Sequence, residues 1–195
     1  PCDEDGRLSC DALPEILSRL EKVDVCLVGP GLGQSEDLDK LISETVTRST
    51  KPLVIDANGI NALSRNIDIM SKAGCPLVLT PHDGEFARLG GDTANRVENA
   101  LAFAGAHNCH LVLKGHRTVT ASPDGQCIIN TTGNPGMATG GSGDVLAGMI
   151  ASLIGQGLTP FQAAATGVFF HGQAGDVCAE RIGQYGMLPT DMINA

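Results

Sequence analysis

The sequence predicts an α/β protein whose mostly parallel sheet has helices on both faces and an antiparallel hairpin near one edge. Four short runs are rich in Val, Leu and Ile, a composition typical of strands that are buried between two helix layers. Successive runs are separated by roughly 25–35 residues, the length of a strand–helix–strand unit. The turn sequence Ser-Pro-Asp-Gly at 122–125 joins two further strand-like segments and predicts the hairpin.

The individual elements follow from these patterns in chain order. Strands are predicted at 23–29, 52–57, 76–80, 110–115, 117–121 and 126–130. Helices are predicted at 37–49, 58–65, 93–107, 142–155 and 160–182. Because no internal repeat, low-complexity tract or linker interrupts this order, residues 1–195 are expected to form one domain.

Composition excludes several classes of protein. A hydrophobic content of 42% with 18% charged residues is that of a folded globular chain rather than a disordered one. The absence of Trp and the single Tyr argue for an aliphatic core and against a stacking platform for nucleic acid. A net charge of −9 disfavours binding to nucleic acid or to an anionic membrane, although backbone amides could still bind a small phosphorylated ligand.

The seven cysteines indicate a reducing compartment. They form no Cys-x-x-Cys pair and no Cys/His cluster with zinc spacing, and their number is odd. No apolar run approaches the length of a membrane span, and no signal peptide is recognisable at the start. A cytoplasmic protein with reduced thiols is therefore expected.

Ligands of open α/β sheets bind beyond the carboxyl ends of the strands, so the loops there are the places to search. The loops with Gly, Asn, Asp, His or Lys residues are 29–35, 56–63, 80–89, 114–118 and the glycine-rich stretch that starts at 131.

The glycine-rich stretch "TTGNPGMATGGSGDVLAGMIASL" (131–153) is the most informative of these. Gly140, Gly141 and Gly143 can adopt positive φ, so that backbone N–H groups converge where a helix begins, near Ser142 and Asp144. Such a place favours a phosphate, and a carboxylate beside it can act as general base. The alternative is that Asp144 only caps the helix. No P-loop pattern is present.

The other loops each have a functional and a structural interpretation. Lys114 and its successors in "KGHRT" could contact a nucleotide or form a solvated turn. The glycines of "GPGLGQS" could let a ligand approach the backbone. His82 and Glu85 could recognise a substrate, unless Asp83 caps the helix there and both are solvated.

Asp56 could hold Mg²⁺ through water, orient a phosphate, or cap the helix that follows. His107, His110 and His171 have no spacing typical of metal ligands and are interpreted as structural.

Several segments together resemble the ribokinase-like, ADP/ATP-dependent NAD(P)H-hydrate dehydratases, in particular the bacterial ADP-dependent branch. The segments are "VGPGLG", "PLVIDANGINAL", "LTPHDGEFARL", "LVLKGHRTVTASPDG", "GNPGMATGGSGDVLAGMIASLIGQG" and "HGQAGD" (171–176). They extend over nearly the whole chain from about residue 10. The resemblance implies a three-layer α/β/α fold. Family members have an additional N-terminal βα unit with a substrate-contacting loop, so the resemblance also implies that this chain lacks that unit.

The activity that the resemblance implies is repair of hydrated NADH and NADPH (NADHX and NADPHX), S-epimer, at the expense of ADP, which becomes AMP and phosphate. Asp144 would be the catalytic base, and Mg²⁺ would offset the phosphate charge. Substrate contacts are implied for Gly33, His82, Glu85 and Asp144. Nucleotide contacts are implied for Lys114, Gly115, His116, Arg117, Thr118, Asn134, Gly140, Gly141, Ser142 and Gly143, with residues 134–142 lining the nucleotide.

The resemblance further implies a homo-oligomer, such as a tetramer, and a functional link to an epimerase that acts on the same hydrates. Two alternatives remain open at this point. One is a small-molecule kinase of the same fold that phosphorylates a vitamin or a sugar. The other is an inactive nucleotide-binding fragment.

Overall fold

The computed structural model describes residues 1–195 and contains one six-stranded sheet. The strands are β1 (Cys26–Val28), β2 (Leu53–Ile55), β3 (Leu77–Leu79), β4 (His110–Leu113), β5 (Val119–Ala121) and β6 (Cys127–Ile129). They lie side by side in chain order, and β1 to β4 are parallel. The last two strands form an antiparallel hairpin at one edge. Every strand lies within a predicted range, so the predicted sheet is confirmed.

Eight α-helices accompany the sheet. They are α1 (Leu13–Leu20), α2 (Glu36–Arg48), α3 (Asn58–Ser64), α4 (Asp83–Arg88), α5 (Arg96–His107), α6 (Ser142–Gly155), α7 (Pro160–Ile182) and α8 (Pro189–Ile193). The five predicted helices correspond to α2, α3, α5, α6 and α7, with ends that differ by at most three residues. No residue ranges were predicted for the other three helices, α1, α4 and α8, or for the 3-10 turns, and α8 and the turns are too short to display a helical period.

Alternate residues of the central strands enter two separate cores. Leu53 and Ile55 of β2 pack with α2, α3 and α5 in a cluster of 21 buried residues. Val54, between them, packs on the other face against α6 and α7, in a cluster of 10. Because side chains alternate across a strand, apolar residues at every position place a helix layer on both faces. The predicted three-layer architecture is thus confirmed.

The parallel strands end together at one edge of the sheet. Val28, Ile55 and Leu79 are in register across β1 to β3, and each is the last residue of its strand. The next residues therefore meet there, and the Lys114 N–H, just after β4, donates to the Pro81 carbonyl at 2.8 Å. This edge is where the polar loops were predicted to converge. No helix of the chain is both long enough and apolar enough to cross a bilayer.

Candidate active site

A buried ion pair lies at the centre of this edge. Lys114 Nζ donates to Asp56 Oδ1 at 2.7 Å, and Thr80 Oγ1 donates to the same oxygen at 2.7 Å. Asp56 is only 1% exposed, whereas the Lys114 side chain keeps 18% of its surface. A carboxylate so deeply buried needs such partners, because leaving water costs several kcal/mol. The pair therefore holds the Lys114 ammonium in one place, and the alternative that Asp56 caps the next helix is wrong: Ala57 is the N-cap.

The first turn of α6 lies directly over this ion pair. A Cβ atom at Gly143 would stand 3.2 Å from Lys114 Nζ and 3.8 Å from Asp56 Oδ2. Glycine at position 143 lets the helix start approach the ammonium, which a larger side chain would have to displace. The free amides of the helix start and the ammonium thus face the same space, and both attract an anion.

Asp144 is the third residue of α6, and its carboxylate has no partner in the protein. The N-cap is Gly141, at φ +95°, and no side chain caps the helix. Of the three glycines predicted to have positive φ, only Gly141 has it. Gly140 and Gly143 have ordinary backbone angles, because the turn into the helix needs only one left-handed residue. The capping interpretation of Asp144 is therefore wrong, and its exposed carboxylate is free to accept a proton.

The segment that leads into α6 is anchored on α7 by Asp176. One carboxylate oxygen accepts the Gly133 backbone N–H at 2.8 Å, and the other accepts Asn134 Nδ2 at 3.0 Å. Asn134 Oδ1 in turn accepts the Gly136 N–H at 3.0 Å. Asn134, predicted to line the nucleotide, therefore has its side chain engaged within the loop. Asp176 was not among the predicted site residues.

Two glycines of α7 let the same segment approach the helix closely. A Cβ atom at Gly172 would overlap the Thr132 hydroxyl and lie 2.8 Å from the Thr132 carbonyl carbon. At Gly175 it would overlap the Met137 sulfur. Small residues three apart on one helix face could have indicated that another segment packs there. The glycines of "HGQAGD" thus make room for the loop that Asp176 holds.

Substitution of Gly172 by Ala is expected to destabilise the protein by about 1–3 kcal/mol, since the new methyl group would push the loop away from α7. Gly148→Ala is a matched control on α6, where a Cβ meets no atom within 4 Å. There, alanine should stabilise by about 0.5–1 kcal/mol through its helix propensity. Urea denaturation of both variants measures the difference. Equal stability of the two variants would contradict the close packing.

His171 lies beneath the start of α6. Its Nε2 is 3.4 Å from Ser142 Oγ, and both residues are 7% exposed. Burial is the main reason that the pKa of His171 is lowered below its usual value, which keeps the imidazole neutral at neutral pH. The structural interpretation of His171 agrees with this position, but its contact with Ser142 could not be seen in the sequence.

The predicted nucleotide loop after β4 is compact and open to solvent. Gly115, His116 and Arg117 are exposed, and the Thr118 hydroxyl donates to the Gly115 carbonyl at 3.0 Å. Arg96 supports this loop from α5 and was missed by the sequence-based prediction. It donates to the carbonyls of the last β4 residue and of Lys114, at 2.9 and 3.0 Å, and it also pairs with Asp83.

The predicted substrate contacts lie on the loops after β1 and β3. Gly33 has φ +70°, and its Cβ position meets no atom within 4 Å, so it faces open space. His82 is the N-cap of α4, and its Nδ1 accepts the backbone N–H groups of Gly84 and Glu85 at 3.0 and 3.2 Å. The alternative that Asp83 caps this helix is therefore wrong.

The Glu85 carboxylate accepts the His82 backbone N–H at 2.9 Å, which completes a reciprocal capping pair. It is 5% exposed rather than solvated, while the His82 ring stays accessible. Glu85 thus orients His82, and a direct contact between Glu85 and a substrate stays a prediction.

The site offers few ligands for a metal ion. No three His, Cys, Asp or Glu side chains are grouped as a metal centre. Asp56 Oδ2 is the relevant donor, since it accepts no hydrogen bond and lies beside Gly143. One carboxylate is sufficient for Mg²⁺ that is held mainly by phosphate oxygens and water. All seven cysteines are unpaired.

Comparison with known proteins agrees with this architecture. The family model described as NAD(P)H-hydrate dehydratase matches residues 6–195. A bifunctional NAD(P)H-hydrate repair enzyme from Moorella thermoacetica is 50% identical over 97% of this chain and 37% of its own length. An ADP-dependent (S)-NAD(P)H-hydrate dehydratase from Neisseria meningitidis is 41% identical over 86% of this chain and 59% of its own.

A solved structure of the ADP/ATP-dependent NAD(P)H-hydrate dehydratase from Bacillus subtilis, co-crystallised with ATP/Mg²⁺, is also similar. Its TM-score is 0.80 at 30% identity, over 91% of this chain and 68% of that one. The chain spans just over a third of the length of the bifunctional relative from Moorella thermoacetica. The match of the family model to nearly all residues, together with the shared fold, establishes that the chain belongs to the NAD(P)H-hydrate dehydratase family.

Proposed function

We propose that this chain dehydrates the S-epimer of hydrated NADH and NADPH at the expense of ADP, giving AMP and phosphate. The observation that carries the proposal is the unpaired Asp144 carboxylate beside the free amides of α6 and the Lys114 ammonium. These groups combine a proton acceptor with an anion site, which phosphoryl transfer to a hydroxyl group requires. The names of the similar proteins supply the identity of the substrate and the nucleotide.

Asp144 would accept the proton of the hydroxyl group on the hydrated ring. The hydroxyl oxygen then forms a bond to the terminal phosphorus of ADP, and the bond from that phosphorus to the bridging oxygen of AMP breaks. The phosphate ester is a far better leaving group than hydroxide. Its C–O bond breaks as the ring nitrogen lone pair moves in, and loss of a proton from the neighbouring ring carbon restores the dihydropyridine.

The nucleotide would lie over α6 and the loop after β4. The amides of Gly141 and Gly143 and the Lys114 ammonium would bind its phosphates, and residues 115–118 would contact the remainder. Gly33 and His82 would contact the hydrated dinucleotide opposite. Mg²⁺ that accompanies the nucleotide would offset phosphate charge, and Asp56 Oδ2 is the carboxylate oxygen available to hold it or one of its waters.

The biological setting is part of the same proposal. We infer one domain over residues 1–195, a cytoplasmic location in keeping with seven unpaired thiols, and a homo-oligomer. The bifunctional name of the Moorella thermoacetica relative supports a functional link to an epimerase.

Recovery of NADH absorbance from purified hydrated NADH tests the proposal. We expect recovery only when ADP or ATP is added, with one AMP and one phosphate formed from each ADP. The rates of recovery with ADP and with ATP show which nucleotide the protein prefers. A stable phosphorylated product instead of NADH would identify a small-molecule kinase. Nucleotide binding without turnover would identify an inactive domain, and either result would overturn the proposal.

A further inference from the structure

A polar depression lies beside the site, between the loop after β1 and the helices α3 and α4. Its lining residues are Gln34, Asn61, Ser64, Arg65 and Arg88. None of them is apolar and none is a carboxylate, although the chain carries a net charge of −9. Two guanidinium groups therefore share one small wall of an otherwise acidic protein.

The hydrogen bonds around the depression leave mainly donors facing it. Arg65 donates to Asp39 Oδ1 at 2.5 Å and to Gln34 Oε1 at 3.0 Å. Arg88 donates to Asn61 Oδ1 at 3.0 Å and has no carboxylate partner. The side-chain oxygens of Gln34 and Asn61 thus each accept a hydrogen bond from an arginine, and neither side-chain amide nitrogen has a partner in the protein. Asp39 does not line the depression, and its carboxylate is paired with Arg65.

This arrangement favours an anion with several oxygens. Guanidinium groups match the oxygens of a phosphate in pairs, and the free amide N–H groups can bind the remaining ones. A donor-rich or cationic ligand would find no counterpart among the lining residues. A phosphate monoester, compact and doubly charged, fits the depression best.

The depression lies close to the predicted substrate contacts. Gln34 directly follows Gly33, and Arg88 is the last residue of the helix that His82 caps. A helix of six residues is about 9 Å long. Arg88 in the depression and His82 are thus separated by one short helix.

We propose that this depression binds the 2′-phosphate of hydrated NADPH. The inference rests on the proposed function for the identity of the dinucleotide. The 2′-phosphate is the group that distinguishes NADPH from NADH, and it lies on the adenosine, at the end remote from the reacting ring. His82 and Arg88 stand at opposite ends of α4, so one extended dinucleotide can contact both.

Calorimetric titration of the full chain with NADPH and with NADH tests this assignment. Arg88→Gln is expected to weaken NADPH binding about tenfold or more, because a charge-assisted hydrogen bond is lost, and to leave NADH binding unchanged. Arg88→Lys should keep part of the NADPH affinity, since the charge remains. Arg48→Gln is the matched control. Arg48 is an exposed arginine on α2 that pairs with Glu44 at 3.7 Å, and its substitution should leave the affinity for both dinucleotides unchanged.

If Arg88→Gln lowered the affinity for NADPH and NADH equally, or lowered neither, the assignment would be overturned. Inorganic phosphate is the second probe and should compete with NADPH but not with NADH. If Arg88→Gln weakened only inorganic phosphate, the depression would be a free phosphate site and the dinucleotide assignment would be wrong.

The result can be separated from the fate of the proposed function. Nucleotide-dependent recovery of NADH together with Arg88-independent NADPH binding would reject the phosphate site and keep the dehydratase. Arg88-dependent NADPH binding without any dehydration would keep the phosphate site and reject the dehydratase.

Discussion

Asp144→Asn is expected to lower turnover of hydrated NADH by about 10²–10⁴-fold, the contribution of a positioned general base. The amide keeps the shape of the side chain but cannot accept the hydroxyl proton. Because Asp144 makes no contact in the protein, stability should fall by at most about 0.3–1 kcal/mol, from the lost interaction with the helix dipole. ADP affinity, measured by calorimetry, should be largely retained.

Asp191→Asn is the matched control, since Asp191 is also the third residue of its helix. Its carboxylate accepts the Leu188 backbone N–H at 2.7 Å, so it has the capping role that Asp144 lacks. We expect Asp191→Asn to keep full activity. A loss of stability in Asp144→Asn as large as its loss of turnover would restore the capping interpretation.

Lys114→Gln is expected to have the second large effect, on both stability and nucleotide binding. It leaves the Asp56 carboxylate buried without its cation, which should cost about 3 kcal/mol, the lower end for a buried pair because Lys114 retains access to water. It also removes the ammonium beneath α6, so ADP affinity should fall at least about tenfold. Urea denaturation and calorimetry with ADP give the two quantities.

The double variant Asp56→Asn with Lys114→Gln separates these two effects. With both charges removed, most of the lost stability should return, because no unpaired charge remains buried. ADP affinity should stay low, since the ammonium is still missing. Recovery of affinity in the double variant would show that Lys114 acts only on the fold.

The strands and long helices could be predicted because their evidence is local. Apolar residues at every position of 53–55, 77–79 and 111–113 serve two cores at once, and that pattern is visible in the sequence. The glycine-rich start of α6 was visible for the same reason. Asp144 was therefore found correctly as an acid at a helix start, but whether its carboxylate was free or engaged could not be known.

Contacts between distant residues were not predictable in this way. Asp56 and Lys114 are 58 positions apart, and Asp176 lies 43 from Gly133. No local pattern tells one such carboxylate from another. His82 as a cap was missed as well, because the neighbouring Asp83 is the commoner capping residue and only the backbone geometry decides between them.

The sequence by itself determined the α/β class, the strand and helix segments along the chain and the set of loops that meet at the ligand edge. Only the tertiary structure decided which charges are paired, and hence which are free for chemistry. The physical reason is that a buried charge loses its hydration and is stable only where the fold gives it hydrogen-bond or ion-pair partners. Asp56 is paired with Lys114, and Asp176 binds the loop before α6. Asp144 has no partner in the protein, so its exposed carboxylate is available to a ligand.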